Sequence, residues 1–290
     1  MNKVKIITDS TCDLGKDLAK EFDVEIVPLY VIFGDHSYED GVEITTAEIY
    51  KKVEELGELP KTSAITTPIL VDIFSKWYNE GYDIVFTGIS SKMSRTYQSA
   101  VLAAEEVNPE KDRIYIVDSK NLSTGIGLLV VHACMDRDKG LSAKEIAENM
   151  AYNADRAKVQ FAIERMDYLH KGGRCSGVAR FVGTILSMKP IIFVRDGAMS
   201  VGRKPIGKMK VALNSMLKLL IEDKEKDNVR EDVIFVTHSI AVESCAYLLP
   251  EVKKLYPNAR VIETVAGGVI ASHCGPGTIG ILYICKEPVK

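Results

Sequence analysis

The chain of 290 residues is 46% hydrophobic and 27% charged, enough apolar material for a sizeable core in one large or two ordinary domains. With 37 basic against 40 acidic side chains the net charge is -3, which excludes the basic footprint of a nucleic-acid binder. The polar turn in "MNKVKIITDSTCDLG" and the shortness of the apolar run "GIGLLVV", against the roughly 20 residues that cross a bilayer, lead us to expect a soluble protein of the cytoplasm.

In chain order, "KVKIITDS" and "EIVPLYVIFG" predict strands, a helix starts near Thr45, "DIVFTGIS" is a strand followed by a helix from about Tyr97, and "RIYIVDS" leads into another helix. This rhythm implies parallel strands joined by crossover helices. Three of the strands end in "TDST", "GISS" and "VDSKNLS", which puts hydroxyls and aspartates at the carboxyl edge where open parallel sheets take ligands. From about Val159 the pattern changes. "VQFAIERM" is followed by a Gly/Arg turn, "HKGGRCSG", and the Asp-Gly pair of "PIIFVRDGAMSV" marks a hairpin. A helix over about Val211 to Ile221, the charged run "EDKEKDNVRED", expected as a solvated loop, and the strands "DVIFVTHS", "ARVIETVAG" and "TIGILYI" complete the chain. The expected fold is an N-terminal α/β domain with a parallel sheet, residues 1–157, and a C-terminal α+β domain with a mixed sheet, residues 158–290.

Two phosphate motifs fail. "GPGTIG" copies a dinucleotide fingerprint, but a strand follows it where a helix is needed. "GRKPIGKM" copies a P-loop, but Met209 replaces the hydroxyl residue and Pro205 removes a backbone donor. The six cysteines form no C-x-x-C pair and the five histidines no metal-binding spacing, so neither a cofactor nor a metal is expected.

Hydroxyls are dense in "TDSTCD", "LPKTSAITTP", "GISSKMSRTYQSA" and "VDSKNLSTGIG". Helix capping accounts for Ser10, Thr11 and Ser123. It does not account for the loop from Thr62 to Thr67 or for Ser90, Ser91, Ser94 and Thr96, which can offer several donors to one anion. His273, in the glycine-rich "GVIASHCGPG", is either a core histidine paired with a carbonyl or a ligand-binding group. Cys274 beside it is expected on an extended segment, facing away from the imidazole, as a small buried side chain.

Taken together, "IITDSTCDL", "KTSAITTP", "ISSKMSRTYQSA", "VDSKNLSTGIGLLV", "YLHKGGRCSG", "KPIIFVRDGAM" and "SHCGPGTIGI" resemble, nearly end to end, the DegV family of bacterial lipid-binding proteins. That family includes the fatty-acid-binding subunits of fatty acid kinase. The resemblance implies a two-domain protein that encloses a long-chain fatty acid between its domains, its carboxylate held by Thr62, Ser94 and His273 with Ser63 and Thr96 in support. A separate kinase subunit phosphorylates that carboxylate, and the acyl phosphate enters phospholipid synthesis. The chain is then not itself an enzyme, and transient contact with a membrane surface is implied. Arg174 and Arg203 match arginines that dock the kinase or present the acyl phosphate. The chain departs from the family pattern at Ala64 and Ile65, in place of Gln-Pro, at Arg95 in place of glycine, at Gly268 in place of proline and at Cys274 in place of threonine.

The residue chemistry is compatible with that picture. A carboxylate leaving water needs donors for its lone pairs, and two hydroxyls with an imidazole supply them. Ten buried methylenes contribute on the order of 8 kcal/mol, so the tail dominates affinity while the head fixes orientation. Two other readings stay open: an enzyme that transfers or hydrolyses acyl groups through Cys274 or Ser94, and a binder of another small apolar anion.

Overall fold

The computed structural model describes residues 2–176 and 187–289. β1 (Val4–Asp9) passes through a 3-10 turn at Ser10–Cys12 into α1 (Gly15–Glu21) and β2 (Val24–Val27), which pairs parallel to β1. The run "EIVPLYVIFG" is not one strand. Pro28, lacking an N–H, breaks it, and β3 (Tyr30–Phe33) leaves for a second sheet. There β3 pairs antiparallel with β4 (His36–Glu39) and, beyond α2 (Thr46–Leu56), with β5 (Lys61–Ser63). A capping box starts α2 where the sequence places it: the Thr45 hydroxyl accepts the Glu48 N–H and the Glu48 carboxylate accepts that of Thr45. α3 (Thr67–Asn79) then leads to β6 (Asp83–Gly88), and α4 (Thr96–Val107) to β7 (Ile114–Asp118).

The parallel sheet has the order β2-β1-β6-β7, so its order reverses between β1 and β6, and a crevice opens there at the carboxyl edge. Asp9 ends β1 and bridges this crevice, its Oδ2 accepting the Ile89 N–H at 2.9 Å. Gly88 makes room for it, since a Cβ at that position would overlap the Asp9 carboxylate.

α5 (Thr124–Asp138) is buried on all sides from Thr124 to Cys134, which is why its apolar residues show no stripe. It packs against both halves of the molecule. A Cβ at Gly125 would lie 2.6 Å from Val159, and one at Gly127 would lie 2.9 Å from the Cys12 carbonyl oxygen. Through α5 a single apolar cluster runs from Ile6 and Val85 to Phe235 and Leu282. No described helix is long and apolar enough to cross a membrane.

After α6 (Ala143–Ala154) come β8 (Ala157–Ala162), α7 (Met166–Gly172), β9 (Cys175–Ser176), β10 (Ile191–Arg195), β11 (Ala198–Arg203), α8 (Met209–Glu225), β12 (Val229–Ser239), α9 (Val242–Leu255), β13 (Arg260–Val265), α10 (Gly268–Cys274) and β14 (Thr278–Cys285). Their strands form a mixed sheet ordered β13-β12-β14-β8-β10-β11-β9. The Asp-Gly hairpin is present: Arg195 pairs with Ala198, and Asp196 and Gly197 both have positive φ, as a two-residue turn requires.

Two expectations are corrected. The charged run is not a solvated loop, because α8 continues to Glu225 and β12 begins at Val229. Asp223 within it is buried, accepting from Lys158 Nζ at 2.5 Å and the Tyr283 hydroxyl at 2.7 Å. The segment "HKGGRCSG" is helical up to Gly172, where Gly173 ends α7 in the left-handed conformation; Gly177 lies outside the described residues.

His132 of α5 is buried beside Arg230, and burial pushes its pKa down to about 4. Between pH 6.5 and 4 the unfolded chain therefore takes up a proton that the folded chain resists, so this group's contribution is present above pH 6.5 and lost as pH falls. Asp9, pushed up to about 6 by burial, acts in the opposite direction. Denaturant unfolding at pH 7 and pH 4.5 should show His132→Gln losing less stability than the parent, by on the order of 2 kcal/mol.

Candidate functional site

A cavity of about 560 Å³ lies where the carboxyl edge of the parallel sheet meets one face of the mixed sheet. That volume falls in the roughly 300–1,000 Å³ range of small-molecule sites. The register explains the face. Leu282 stands opposite Val159, Gly280 opposite Phe161 and Thr237, and Thr278 opposite Ser239, so period-two alternation points all of them the same way. From the parallel-sheet side Ile89, Leu122 and the segment 91–95 close the cavity. The lining at Val159, Phe161, Leu169, Met199 and Leu282 is buried and apolar. The exposed lining is Ser63, Ser91, Lys92, Arg95 and Arg174, so the mouth is polar and cationic. No aspartate or glutamate is among the described lining residues.

Thr62, on β5, and His273, on α10, meet here: Thr62 Oγ1 is 2.8 Å from His273 Nε2. Ser94 lines the same cavity; its Oγ accepts the Thr96 N–H at 3.2 Å and lies 3.1 Å from Thr96 Oγ1. Thr96 is buried at the start of α4, behind Ser94, while Ser63 is exposed at the mouth. Arg174 also lines the mouth and donates to the Gly172 carbonyl at 2.6 Å. Arg203 does not line the cavity. It reaches Ser215 and Glu222, each at 3.4 Å.

Burial pushes the His273 pKa down to about 4, and the positive charge of Arg174 acts in the same direction. At that value the ring is neutral at pH 7, and an anion bound beside it would raise the pKa. Its Nδ1 is buried without a hydrogen-bond partner among the described residues.

Two aspartates that motif spacing passes over hold α10 in place. Asp40 Oδ1 accepts the Gly268 N–H at 2.6 Å, while its Oδ2 accepts from Val269 at 3.3 Å and from the Ser10 hydroxyl at 2.8 Å. Asp13 accepts the Gly267 N–H at 2.8 Å and the Ser123 hydroxyl at 2.5 Å. Burial raises both carboxyl pKa values, opposed by these hydrogen bonds. A proline at 268, which the resemblance leads one to expect, would have no N–H for Asp40.

The capping expectations for Ser10, Thr11 and Ser123 do not hold. The Asp9 side chain caps the 3-10 turn, and Ser10 and Ser123 bond to Asp40 and Asp13. Ser123 stands at the start of α5 but makes no capping hydrogen bond. Nor do Thr62 and Ser63 lie in a loop: they form the end of β5. His273 and Cys274 are helical, not extended, so both side chains line the cavity. Burial raises the Cys274 thiol to about 12. Arg95 has φ of -82° and ψ of -4°, an ordinary right-handed conformation, so replacing glycine there costs no strain. Among the described residues neither Arg95 nor Lys92 makes an ion pair.

His238, Cys245 and Glu263 bring possible metal-ligand atoms within 4.8 Å of one another. The hydrogen bonds of His238 do not suit a metal. His238 Nδ1 accepts the Ala241 N–H at 3.2 Å, which leaves the ring proton on Nε2, facing Glu263 at 3.1 Å.

Both the sequence and the fold have counterparts. The sequence profile of the DegV family matches residues 3–286. A DegV domain-containing protein of Clostridium acetobutylicum is 34% identical over 286 residues, covering 99% of this chain and 100% of its own. Among solved structures, a fatty-acid-binding DegV family protein from Thermus thermophilus superposes with a TM-score of 0.89 at 30% identity, covering 98% of this chain and 99% of its own. A stearic-acid-binding protein from Eubacterium ventriosum superposes with a TM-score of 0.86 at 30% identity, covering 98% of each chain. Matched over nearly its whole length in sequence and in fold, the chain belongs to the DegV family.

Proposed function

We propose that the cavity holds one long-chain fatty acid, its carboxylate at Thr62, Ser94 and His273 and its tail in the apolar interior between the units that divide near residue 157. The observation that carries this reading is the charge distribution of the described lining residues: Lys92, Arg95 and Arg174 at the mouth, no acidic residue among them, and an apolar depth. Such a lining favours a ligand with one anionic end and a hydrocarbon body. Homologues of the same fold that bind fatty acids support it.

In this reading the chain works in the cytoplasm, takes its ligand in transient contact with a membrane surface and presents the head to a separate kinase that forms the acyl phosphate. Ser63 and Thr96 support the head-group residues. Arg174 at the mouth serves presentation, and Arg203, away from the cavity, serves kinase docking. An acyl-transferring role for Ser94 or Cys274 lacks an activated nucleophile. Among the described residues Ser94 Oγ hydrogen-bonds only to Thr96, and the Cys274 thiol stays protonated.

Organic extraction of the natively purified protein followed by mass spectrometry should recover about one fatty acid per chain, and the stripped protein should reload from added oleate or stearate. Recovery of a different apolar anion would favour that class of ligand. A stripped protein that takes up no acyl chain would overturn the reading.

A further inference from the structure

We propose that Gly172 is a positioning residue of the head-group site: its missing side chain sets the His273 imidazole against Thr62, and its carbonyl holds Arg174 at the same mouth. The proposal rests on the head-group reading given above. Gly172 is the last residue of α7 and its φ is not positive, so the backbone does not require glycine there. The requirement comes from across the helix pair. A Cβ on residue 172 would overlap His273 Nδ1 and lie 3.4 Å from both Cε1 and Cγ of the ring. The bare backbone of α7 is thus the wall against which the imidazole stands.

That wall also settles the ring's proton. Nδ1 is buried and has no partner among the described residues, and an orphaned buried N–H is rarer than an orphaned lone pair, so the proton sits on Nε2. Nε2–H then donates to Thr62 Oγ1 at 2.8 Å. With its oxygen accepting, the Thr62 hydroxyl keeps its own proton for an anion in the cavity. The Gly172 carbonyl meanwhile accepts from the Arg174 guanidinium at 2.6 Å, and Gly173, at φ of 68°, turns the chain so that Arg174 folds back to the mouth. One turn of backbone therefore places a neutral donor chain and a cation on the same opening.

The test compares the parent, Gly172→Ala, His273→Ala and the double variant in binding a long-chain fatty acid and the primary alcohol of equal length. Alanine is otherwise the better helix residue, so no loss is expected from the backbone. Gly172→Ala should weaken the acid by about tenfold or more and the alcohol by less than about twofold, as for a lost hydrogen bond to a charged group. Added to His273→Ala it should cause no further loss, because the ring it displaces is gone. The histidine 15N spectrum should show the His273 proton on Nε2 in the parent and a shifted ring in Gly172→Ala. Parental acid affinity in Gly172→Ala, or an equal loss in the His273→Ala background, would overturn the proposal. If His273→Ala alone leaves acid binding unchanged, the head-group reading fails, and an unshifted His273 spectrum in Gly172→Ala would then overturn this proposal separately. If Gly172→Ala fails to fold, the double variant should restore folding, and its failure to do so would equally refute the steric argument.

Discussion

His273→Ala should lower affinity for a long-chain fatty acid by about 1–3 kcal/mol, between several-fold and more than a hundred-fold, and should leave the fold intact. Among the described residues the ring makes one hydrogen bond, from Nε2 to Thr62, and its Nδ1 has no partner. Removing it leaves the Thr62 hydroxyl without its donor and the carboxylate with fewer groups to replace water. The tail keeps its contacts with residues such as Phe161 and Leu282, so the corresponding alcohol should bind nearly as before. Isothermal titration of acid and alcohol against both proteins checks the difference. Equal losses for the two ligands would mean that the imidazole shapes the cavity and does not read the head.

The second large effect is on stability. Asp40→Ala should destabilise the chain by about 2–4 kcal/mol, measured by denaturant unfolding, because it strips acceptors from the N–H groups of Gly268 and Val269 and from the Ser10 hydroxyl. The Gly268 and Val269 N–H groups are buried and Ser10 is half-buried. The loss stays below that of a buried ion pair because the carboxylate is itself penalised by burial, as its raised pKa shows. Asp40→Asn, which keeps an acceptor oxygen for the α10 end, should lose less than the alanine variant. A stability change within about 0.5 kcal/mol for Asp40→Ala would show that α10 is held by packing alone.

Local chemistry made part of this molecule legible in its sequence. The parallel strands with their hydroxyl-rich carboxyl ends, the capping box at Thr45 and the Asp-Gly hairpin each depend on residues a few positions apart. The misreadings have a common cause in partners far along the chain. Asp223 reads as solvated until Lys158 and Tyr283 are placed beside it. His273 reads as part of an extended glycine-rich segment until Asp13 and Asp40, more than 200 residues earlier, organise the start of α10. Pro28 is a partial exception, since its missing N–H is a local signal, but the departure of β3 to another sheet is not. The contact between Thr62 and His273 has no periodicity to announce it: hydroxyl density and a glycine-rich setting mark each as a candidate, but only family resemblance joins the two in one site. Gly172 was hidden for a similar reason: its function is an absence of atoms, visible only once the imidazole is seen against it.

The most direct test of where the head group sits is the carboxyl resonance of a 13C-carboxyl fatty acid bound to the protein, followed from pH 8 to pH 5. Held by donors beside Arg95 and Arg174, the carboxylate should stay ionised across that range, and its resonance should move in Thr62→Ala and His273→Ala. A resonance that titrates within the range and ignores both substitutions would place the head elsewhere.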